Sequence, residues 1–160
     1  MTAPVHDGVV QWFWLPAVAI IATPTLAEMT AGVRLTNVTN YDTPSSEATV
    51  DTSGIDDTYD TGVVGTSTAG PIVLTFKRDP DNLTGNWDAL EFKDNGFLVK
   101  LPFGGSGASA APAATDKAEV YPAQLGRKRP EGYGRNTIQK FMISIQITAD
   151  PEADAALIAS

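Results

Sequence analysis

The sequence contains no cysteine and a single histidine, His6. The absence of cysteine excludes disulfide bonds, zinc–thiolate sites and thiol nucleophiles. A lone histidine close to a terminus is typical of a solvated side chain rather than of a metal ligand or a general base. The glutamates are scattered, and no spacing places two of them across a cleft. We therefore expect neither an enzyme nor a bound cofactor or metal.

Positive charge is scarce: 11 Lys and Arg face 19 Asp and Glu, which gives a net charge of −8. A surface of this sign repels phosphate and disfavours a sequence-specific DNA or RNA binder. The apolar run 9–22 is shorter than the ~20 residues of a membrane helix and contains Pro16. No cation precedes Arg34, so the basic start of a signal peptide is missing. We expect a chain that is neither exported nor membrane-bound.

What is present favours β structure. The 14 glycines and 11 prolines, together with many threonines, are typical of strands joined by long loops. A length of 160 residues fits one domain, residues 1–160. Within it we expect an N-terminal arm over residues 1–8 and a C-terminal tail over residues 150–160, which Asp150-Pro151-Glu152 begins as a helical turn.

Local patterns predict a short helix and several strands. Thr25 and Glu28 have the spacing of a capping box, and Gly32 follows at a plausible helix end. Alternating apolar residues predict strands over 71–78, 97–103, 116–125 and 138–148. A helical stripe precedes Asn95-Gly96, which we interpret as a helix end or a tight turn. The stripe consists of Leu83, Trp87 and Leu90.

Three consecutive aromatic residues, Trp12, Phe13 and Trp14, lie in the first apolar run. Aromatic side chains in this density fit a pleated strand better than a helix. Such a strand belongs either in the core or between subunits, and we assign these three residues to a candidate assembly interface.

Two long segments are expected to be loops. Residues 40–70 are rich in Thr, Ser, Asp and Gly, with strand fragments at 47–52 and 63–64 only, and residues 104–115 are of low complexity. The first segment carries Asp56, Asp57 and Asp60, whose spacing does not match an EF-hand. These aspartates are interpreted as solvated or as a charged contact with a partner.

The connection 126–136 carries the basic group Arg127, Lys128 and Arg129. One interpretation is a solvated loop. The other is a patch complementary to an acidic surface on another copy of the chain, so these residues join the candidate assembly interface. A nucleic-acid site is disfavoured, because no aromatic residues are interleaved with these cations.

The order of these features resembles a known family. The stretch TLAEMTAGVRLT from Thr25 is followed by LTFKRD from Leu74, the Trp87 stripe, GFLV from Gly96, DKAEVYPAQ from Asp116 and the strand Phe141–Thr148. From about Pro24 onward the chain resembles the major tail tube protein of long, flexible-tailed (siphovirus-type) bacteriophages.

The resemblance implies a β-sandwich or half-barrel with one short flanking α-helix and long loops. It implies a structural virion protein without catalytic residues, which assembles into stacked hexameric rings and forms the conduit for genome delivery. It also implies contacts with tape measure, tail terminator and distal tail proteins, passage of DNA without specific binding, and a location in the virion tail after assembly in the host cytoplasm.

The chain's own features agree with this implication. An acidic lumen prevents adhesion of DNA, and long loops can become ordered on neighbouring subunits. Two other classes remain open at this point. A monomeric β-sandwich binding or adhesion module has a similar composition but needs export, and a β-sandwich hydrolase needs a catalytic site that the sequence does not show.

Overall fold

The computed structural model describes residues 10–54, 59, 62–78, 86–103, 111–131 and 134–159. These residues form ten strands and two short helices, and the paired strands are antiparallel. The mainly-β fold predicted from the sequence is confirmed. In chain order the elements are β1 Gln11–Leu15, α1 Leu26–Ala31, β2 Val33–Leu35, β3 Val38–Asp42, β4 Ser45–Asp51, β5 Gly62–Ala69, β6 Ile72–Lys77, α2 Asn86–Ala89, β7 Asn95–Leu101, β8 Lys117–Pro130, β9 Lys140–Ile147 and β10 Glu152–Ala156.

Eight of the described strands form one sheet in the order β2-β1-β7-β8-β9-β6-β3, with β10 paired to β8. The longest strand is β8, with 14 residues. One of its edges pairs with β7. Its other edge pairs with β9 and then, nearer its own beginning, with β10. Strands β4 and β5 pair with each other in a separate two-stranded sheet.

The large sheet curls on itself. Trp12 on β1 lies next to one edge of the sheet, and Tyr41 on β3 lies at the other edge. Their ring centroids are nevertheless only 5.2 Å apart, in an edge-on contact. The concave side holds an interior core, in which Phe76 and Phe141 stack at 5.0 Å. The interior core consists of Trp12, Trp14, Leu35, Ile72, Leu74, Phe76, Leu90, Leu98, Ala123, Leu125, Phe141, Ile143 and Ile145.

A second cluster, the outer core, covers the convex side of β1, β7 and the first part of β8. The side chains that cover this face come from α1, from β10 with the residue after it, and from the irregular segment between β1 and α1. This cover explains why all five residues of β1 are buried, although alternate side chains point to opposite faces. The outer core consists of Phe13, Leu15, Val18, Met29, Val99, Leu101, Ala118, Val120, Ala155 and Leu157.

The capping box predicted for α1 is confirmed. Glu28 N–H donates to Thr25 Oγ1 at 3.2 Å, and Thr25 N–H donates to Glu28 Oε2 at 2.7 Å. The other carboxylate oxygen of Glu28 accepts from the backbone of Ala19 at 2.7 Å. Burial would raise the pKa of Glu28, but the hydrogen bonds from Thr25 and Ala19 bring it below its ordinary value. The helix is thereby joined to the segment that precedes it.

The strands with the strongest alternation are confirmed. On β6, Ile72, Leu74 and Phe76 are completely buried, and on β9 the buried residues include Ile143 and Ile145. The two strands pair directly, with Leu74 opposite Ile143, so their apolar faces form one surface. Period-two alternation identified these strands because only one face of each is covered.

Two segments expected to be irregular are strands instead. The strand fragments predicted at 47–52 and 63–64 correspond to β4 and β5, but the prediction of loop for the rest of residues 40–70 is wrong, because the described part of this segment also holds the end of β3 and these two strands are longer than predicted. The predicted C-terminal turn is also wrong: Glu152–Ala156 is β10, and Ala155 and Leu157 are buried in the outer core. The predicted arm 1–8 and residues 104–110 of the low-complexity segment lie outside the described residues.

The region between β6 and β7 also differs from the prediction. Helix α2 is a single turn, Leu90 is buried just after it, and Leu83 lies outside the described residues. Asn95 and Gly96 begin β7 and form no turn. A Cβ atom on Gly96 would lie 2.6 Å from Leu15 O and 2.7 Å from the Trp14 ring. Glycine is needed there because β1 approaches closely, not because a helix ends.

The predicted basic loop is wrong as well, since β8 continues through Arg127, Lys128 and Arg129 to Pro130. The register between β8 and β9 shifts between Leu125 and Lys128, which marks a β-bulge. Bulges bend a strand and increase its twist. The bulge contains Gly126, where a Cβ atom would lie only 2.4 Å from Ser144 O on β9.

Replacing Gly126 with alanine should therefore push β8 away from β9. We expect Gly126→Ala to lower the free energy of unfolding by about 1–3 kcal/mol, the usual cost of overpacking. Gly134→Ala is the matched control, because nothing lies within 4 Å of a Cβ atom there. The control should leave stability unchanged or raise it by up to ~1 kcal/mol. Urea denaturation of both variants makes the comparison, and equal midpoints would show that the close approach at the bulge does not constrain the sheet.

Candidate assembly surfaces

Two opposite ends of the curled sheet carry the candidate surfaces. The hairpin end is where β6 and β8 begin and β7 and β9 finish; here the β4–β5 hairpin leaves the sheet between β3 and β6. The α2 end is where β8 finishes and β9 begins, and Trp87 of α2 contacts Phe141 of β9 there at 4.9 Å. The register of the paired strands places these strand ends together.

The β4–β5 hairpin is almost entirely exposed. All seven residues of β4 are exposed, as are six of the eight residues of β5. Val50 and Val63 are directly opposite each other and about half exposed, and Val64 is 71% exposed. An isolated two-stranded hairpin is marginally stable in water. Exposed valines on such a hairpin are therefore candidates for contact with another chain.

The aspartates of the predicted acidic loop, Asp56, Asp57 and Asp60, lie outside the described residues. In sequence they fall between β4 and β5. Asp51, at the end of β4, is described: its carboxylate accepts a hydrogen bond from Ser53 N–H at 2.8 Å, which lowers its pKa. Glu47 on the same strand is exposed. The assignment of Asp56, Asp57 and Asp60 to an assembly interface stays a prediction.

The structure places Trp12, Phe13 and Trp14 within a single subunit. Trp12 and Trp14 belong to the interior core and Phe13 to the outer core, and none of the three is more than 6% exposed. Strand β1 also has paired neighbours on both edges, β2 and β7. Of the two alternatives left by the sequence, the structure supports the core. The three side chains have almost no exposed surface for a neighbouring subunit, so the interface assignment has no support there.

A charged cluster lies at the hairpin end. Lys100 on β7 and Glu119 on β8 are opposite each other, and their charged atoms are 3.3 Å apart. Tyr121 Oη donates to the same carboxylate oxygen of Glu119 at 2.7 Å. Lys100 Nζ also lies 5.1 Å from the centroid of the Tyr41 ring. Burial, together with the hydrogen bond to Glu119 and its negative charge, raises the pKa of Tyr121 well above its ordinary value.

A groove with a volume of about 570 Å³ lies at the same end. One wall is the base of the hairpin, around Pro44 and Thr68, and the other is the connection between β9 and β10, around Thr148 and Pro151. Tyr121 lines it from the sheet. Its other lining residues include Thr43, Ser45, Ser67 and Asp150, so the groove is largely polar.

The basic residues lie at the α2 end, in two environments. The guanidinium of Arg127 stands 4.5 Å from the centroid of the Phe92 ring, which is 47% exposed. Arg129 is exposed on the same strand. Lys128 differs from both: its ammonium lies over the Trp87 ring and donates to the Trp87 carbonyl oxygen. Arg127 and Arg129 therefore form a surface, whereas Lys128 fixes α2 to the sheet.

Within the described ranges, no group of three or more His, Asp or Glu side chains could hold a metal ion. None of the described helices has the length and apolar character needed to cross a bilayer. The fold is thus mainly β, and its exposed features are a hairpin that carries three exposed valines and the two charged ends.

Comparisons with known proteins identify the family. A family model described as "Phage tail tube protein" matches residues 1–160. A search of curated proteins finds no significant match. Among solved structures, a chain of the cryo-EM structure of the anti-feeding prophage (AFP) baseplate, 6-fold symmetrised, matches with a TM-score of 0.54 and 10% identity, covering 95% of each chain. At this identity the structural match shows the fold alone.

Because the family model covers the whole chain, the protein belongs to the phage tail tube protein family. It is a structural, non-enzymatic component of a phage tail. The resemblance stated from the sequence is confirmed at the level of the family, and the tail protein is favoured over the adhesion module and the hydrolase.

The charged cluster gives a testable titration. Because the pKa of Tyr121 is raised in the fold, its contribution to stability is complete below the ordinary tyrosine pKa of about 10 and is lost as the pH rises above it. We expect an alkaline absorbance titration to contain a component that ionises well above the ordinary tyrosine pKa, and Glu119→Gln to lower the pH at which this component ionises. Tyr121→Phe should remove this component. An identical titration of Glu119→Gln would contradict the role of Glu119.

Proposed function

We propose that this chain is the repeating subunit of a phage tail tube, assembling into hexameric rings that stack into the conduit for genome delivery. The observation that carries the proposal is the exposed β4–β5 hairpin on a chain of the tail tube family. A segment that gains little from its own subunit is stabilised when a neighbouring subunit covers it. The 6-fold symmetrised assembly that contains the structural neighbour supports rings of six.

The charge of the chain is consistent with a conduit. A net charge of −8 gives a subunit that repels the DNA backbone overall. DNA then passes without specific binding, since strong phosphate binding requires clustered cations facing the nucleic acid. The proposal accordingly includes genomic DNA as a passing molecule and not as a ligand.

The remaining parts of the proposal follow the resemblance found in the sequence. The tube belongs to a long, flexible tail of the siphovirus type. Its rings contact a tape measure protein inside the tube, and tail terminator and distal tail proteins at its two ends. Assembly takes place in the host cytoplasm, before the tail joins the virion.

Removal of the hairpin tests the proposal. Gly70 N–H donates to Pro44 O at 2.8 Å, so the two ends of the hairpin are already adjacent. Residues 45–69 can therefore be replaced by two glycines without opening the main sheet. We expect the shortened protein to fold, as judged by circular dichroism and thermal unfolding, and to form no tubes in negative-stain electron microscopy, while the unmodified protein forms tubes.

A milder variant tests whether tube formation needs the exposed valines of the hairpin or only the presence of the hairpin. Val50→Thr with Val63→Thr keeps β-branched side chains of similar shape but removes the apolar pair. Exchanging Ser46 and Thr68, which are also opposite each other, is the control. We expect fewer tubes from the threonine variant and normal tubes from the control. Tubes of normal length from the protein without a hairpin would overturn the proposal.

A further inference from the structure

The charges of the subunit are segregated between its two ends. At the hairpin end, the described residues include eight acidic side chains and two lysines. The acidic ones are Asp42, Glu47, Asp51, Asp116, Glu119, Asp150, Glu152 and Asp154. At the α2 end, the described residues include eight basic side chains and four acidic ones, Asp88, Glu91, Asp94 and Glu131. The basic ones are Lys77, Arg78, Lys93, Arg127, Lys128, Arg129, Arg135 and Lys140.

The ion pairs do not remove this polarity. Both ion pairs in the described part of the chain lie at the hairpin end, Lys100 with Glu119 and Lys117 with Asp154. They account for two of the eight described acidic side chains there, so this end stays acidic. At the opposite end, Lys77 and Lys140 occupy directly opposed positions on β6 and β9. Like charges in such a pair are destabilising, so an acidic partner would relieve a cost that the isolated subunit bears.

The basic residues surround an uncovered sheet face. The outer core covers β1, β7 and the beginning of β8, and its residues do not extend over β6 and β9. On that convex side of β9, Ser144 and Gln146 are exposed and Met142 is half-buried, whereas on β6 Thr75, opposite Met142, is buried. Lys77 and Arg129 border this area, with Arg129 directly opposite Met142. We call this area the basic sheet face; it offers a polar, positively charged platform with a small apolar centre.

The two charged ends of one subunit are too far apart to attract each other strongly. The eight residues of β9, which runs from one end to the other, span roughly 25 Å. This is about three times the ~8 Å Debye length at physiological ionic strength. Asp42 ends β3 opposite Val73, the second residue of β6, and therefore adds to the acidic charge of the hairpin end.

We propose that the basic sheet face is the docking surface for the acidic hairpin end of a second copy of this chain. The contact is heterologous, since different surfaces of the two copies meet, and such contacts propagate in one direction instead of closing a twofold dimer. Charge complementarity then fixes the orientation of successive copies. Val50 and Val63 of the incoming hairpin supply apolar area for the centre around Met142. This inference rests on the proposed tube and adds to it the surfaces that join its subunits.

Charge reversal at each end tests the pairing. The first variant reverses the charge of three cations of the α2 end, two of which border the basic sheet face. The second reverses the charge of acidic residues at the hairpin end. Lys128 is left unchanged because it holds α2. The first variant is Lys77→Glu, Arg127→Glu and Arg129→Glu. The second is Asp42→Lys, Glu47→Lys, Asp150→Lys and Glu152→Lys, with Asp56, Asp57 and Asp60 each changed to Asn so that the hairpin end becomes positive. Of the positions that the structure describes, all are exposed except Glu152, which is partly exposed.

Each variant carries the same charge sign at both ends, so we expect neither to pair with itself. Mixed in equal amounts they should alternate, because every junction then joins an acidic to a basic end. We expect at least a tenfold loss of sedimenting assemblies for each variant alone and recovery to within about twofold of the unmodified protein in the mixture. Sedimentation velocity measures the pairing, and circular dichroism verifies that both variants fold.

The outcomes separate the inference from the proposed function. Normal assembly of either folded variant alone overturns the docking surface, as does a mixture that stays unassembled. If the unmodified protein forms no tubes but the two variants still pair with each other, the docking surface stands and the tube proposal fails. If the unmodified protein forms tubes and both variants do so as well, the docking surface alone is wrong.

Discussion

The structure depends on the curling of one antiparallel sheet around the interior core. The contact between Trp12 and Tyr41 brings strands near opposite edges of the sheet together. The curl is possible because β8 is long enough to pair with β7 along one edge and with both β9 and β10 along the other. It bends at the bulge around Gly126, where the backbones of β8 and β9 approach too closely for a side chain. Burial of large apolar side chains on the concave side is the main favourable term for such a sheet.

The same curl determines which surfaces remain for a partner. The outer core covers only part of the convex side, because α1, β10 and the segment before α1 are short. The sheet face over β9 therefore stays open around Ser144 and Gln146. The hairpin between β3 and β6 extends away from the sheet, because no described strand of the large sheet pairs with it. An exposed sheet face and an exposed hairpin on a small domain are consistent with a protein whose final packing is completed by other subunits.

The sequence predicted the elements whose signals are local. The capping box of α1 needs only Thr25 and Glu28, and the alternation in β6 and β9 follows from burial of a single face. The errors have a different origin. The end of β8 carries Arg127 and Arg129, whose charges favoured the prediction of a loop. This stretch is nevertheless a strand, because it pairs with the first part of β9. Strand β10 is rich in alanine and acidic residues and forms because β8 offers an edge. Tertiary pairing decides such segments, and propensity does not.

The candidate surfaces were predictable in part for the same reason. The sequence identified Arg127 and Arg129 by charge, but only the fold separates them from Lys128, whose ammonium lies over Trp87. It identified the aromatic strand by composition, but only the pairing of β1 with both β2 and β7 places it inside the subunit. The polarity of the molecule was not visible in the sequence at all, because the acidic residues at the hairpin end come from three separate segments of the chain, 42–51, 116–119 and 150–154. A charge pattern of this kind is a property of the strand register: reversing the direction of β9 relative to β8 would mix the two ends.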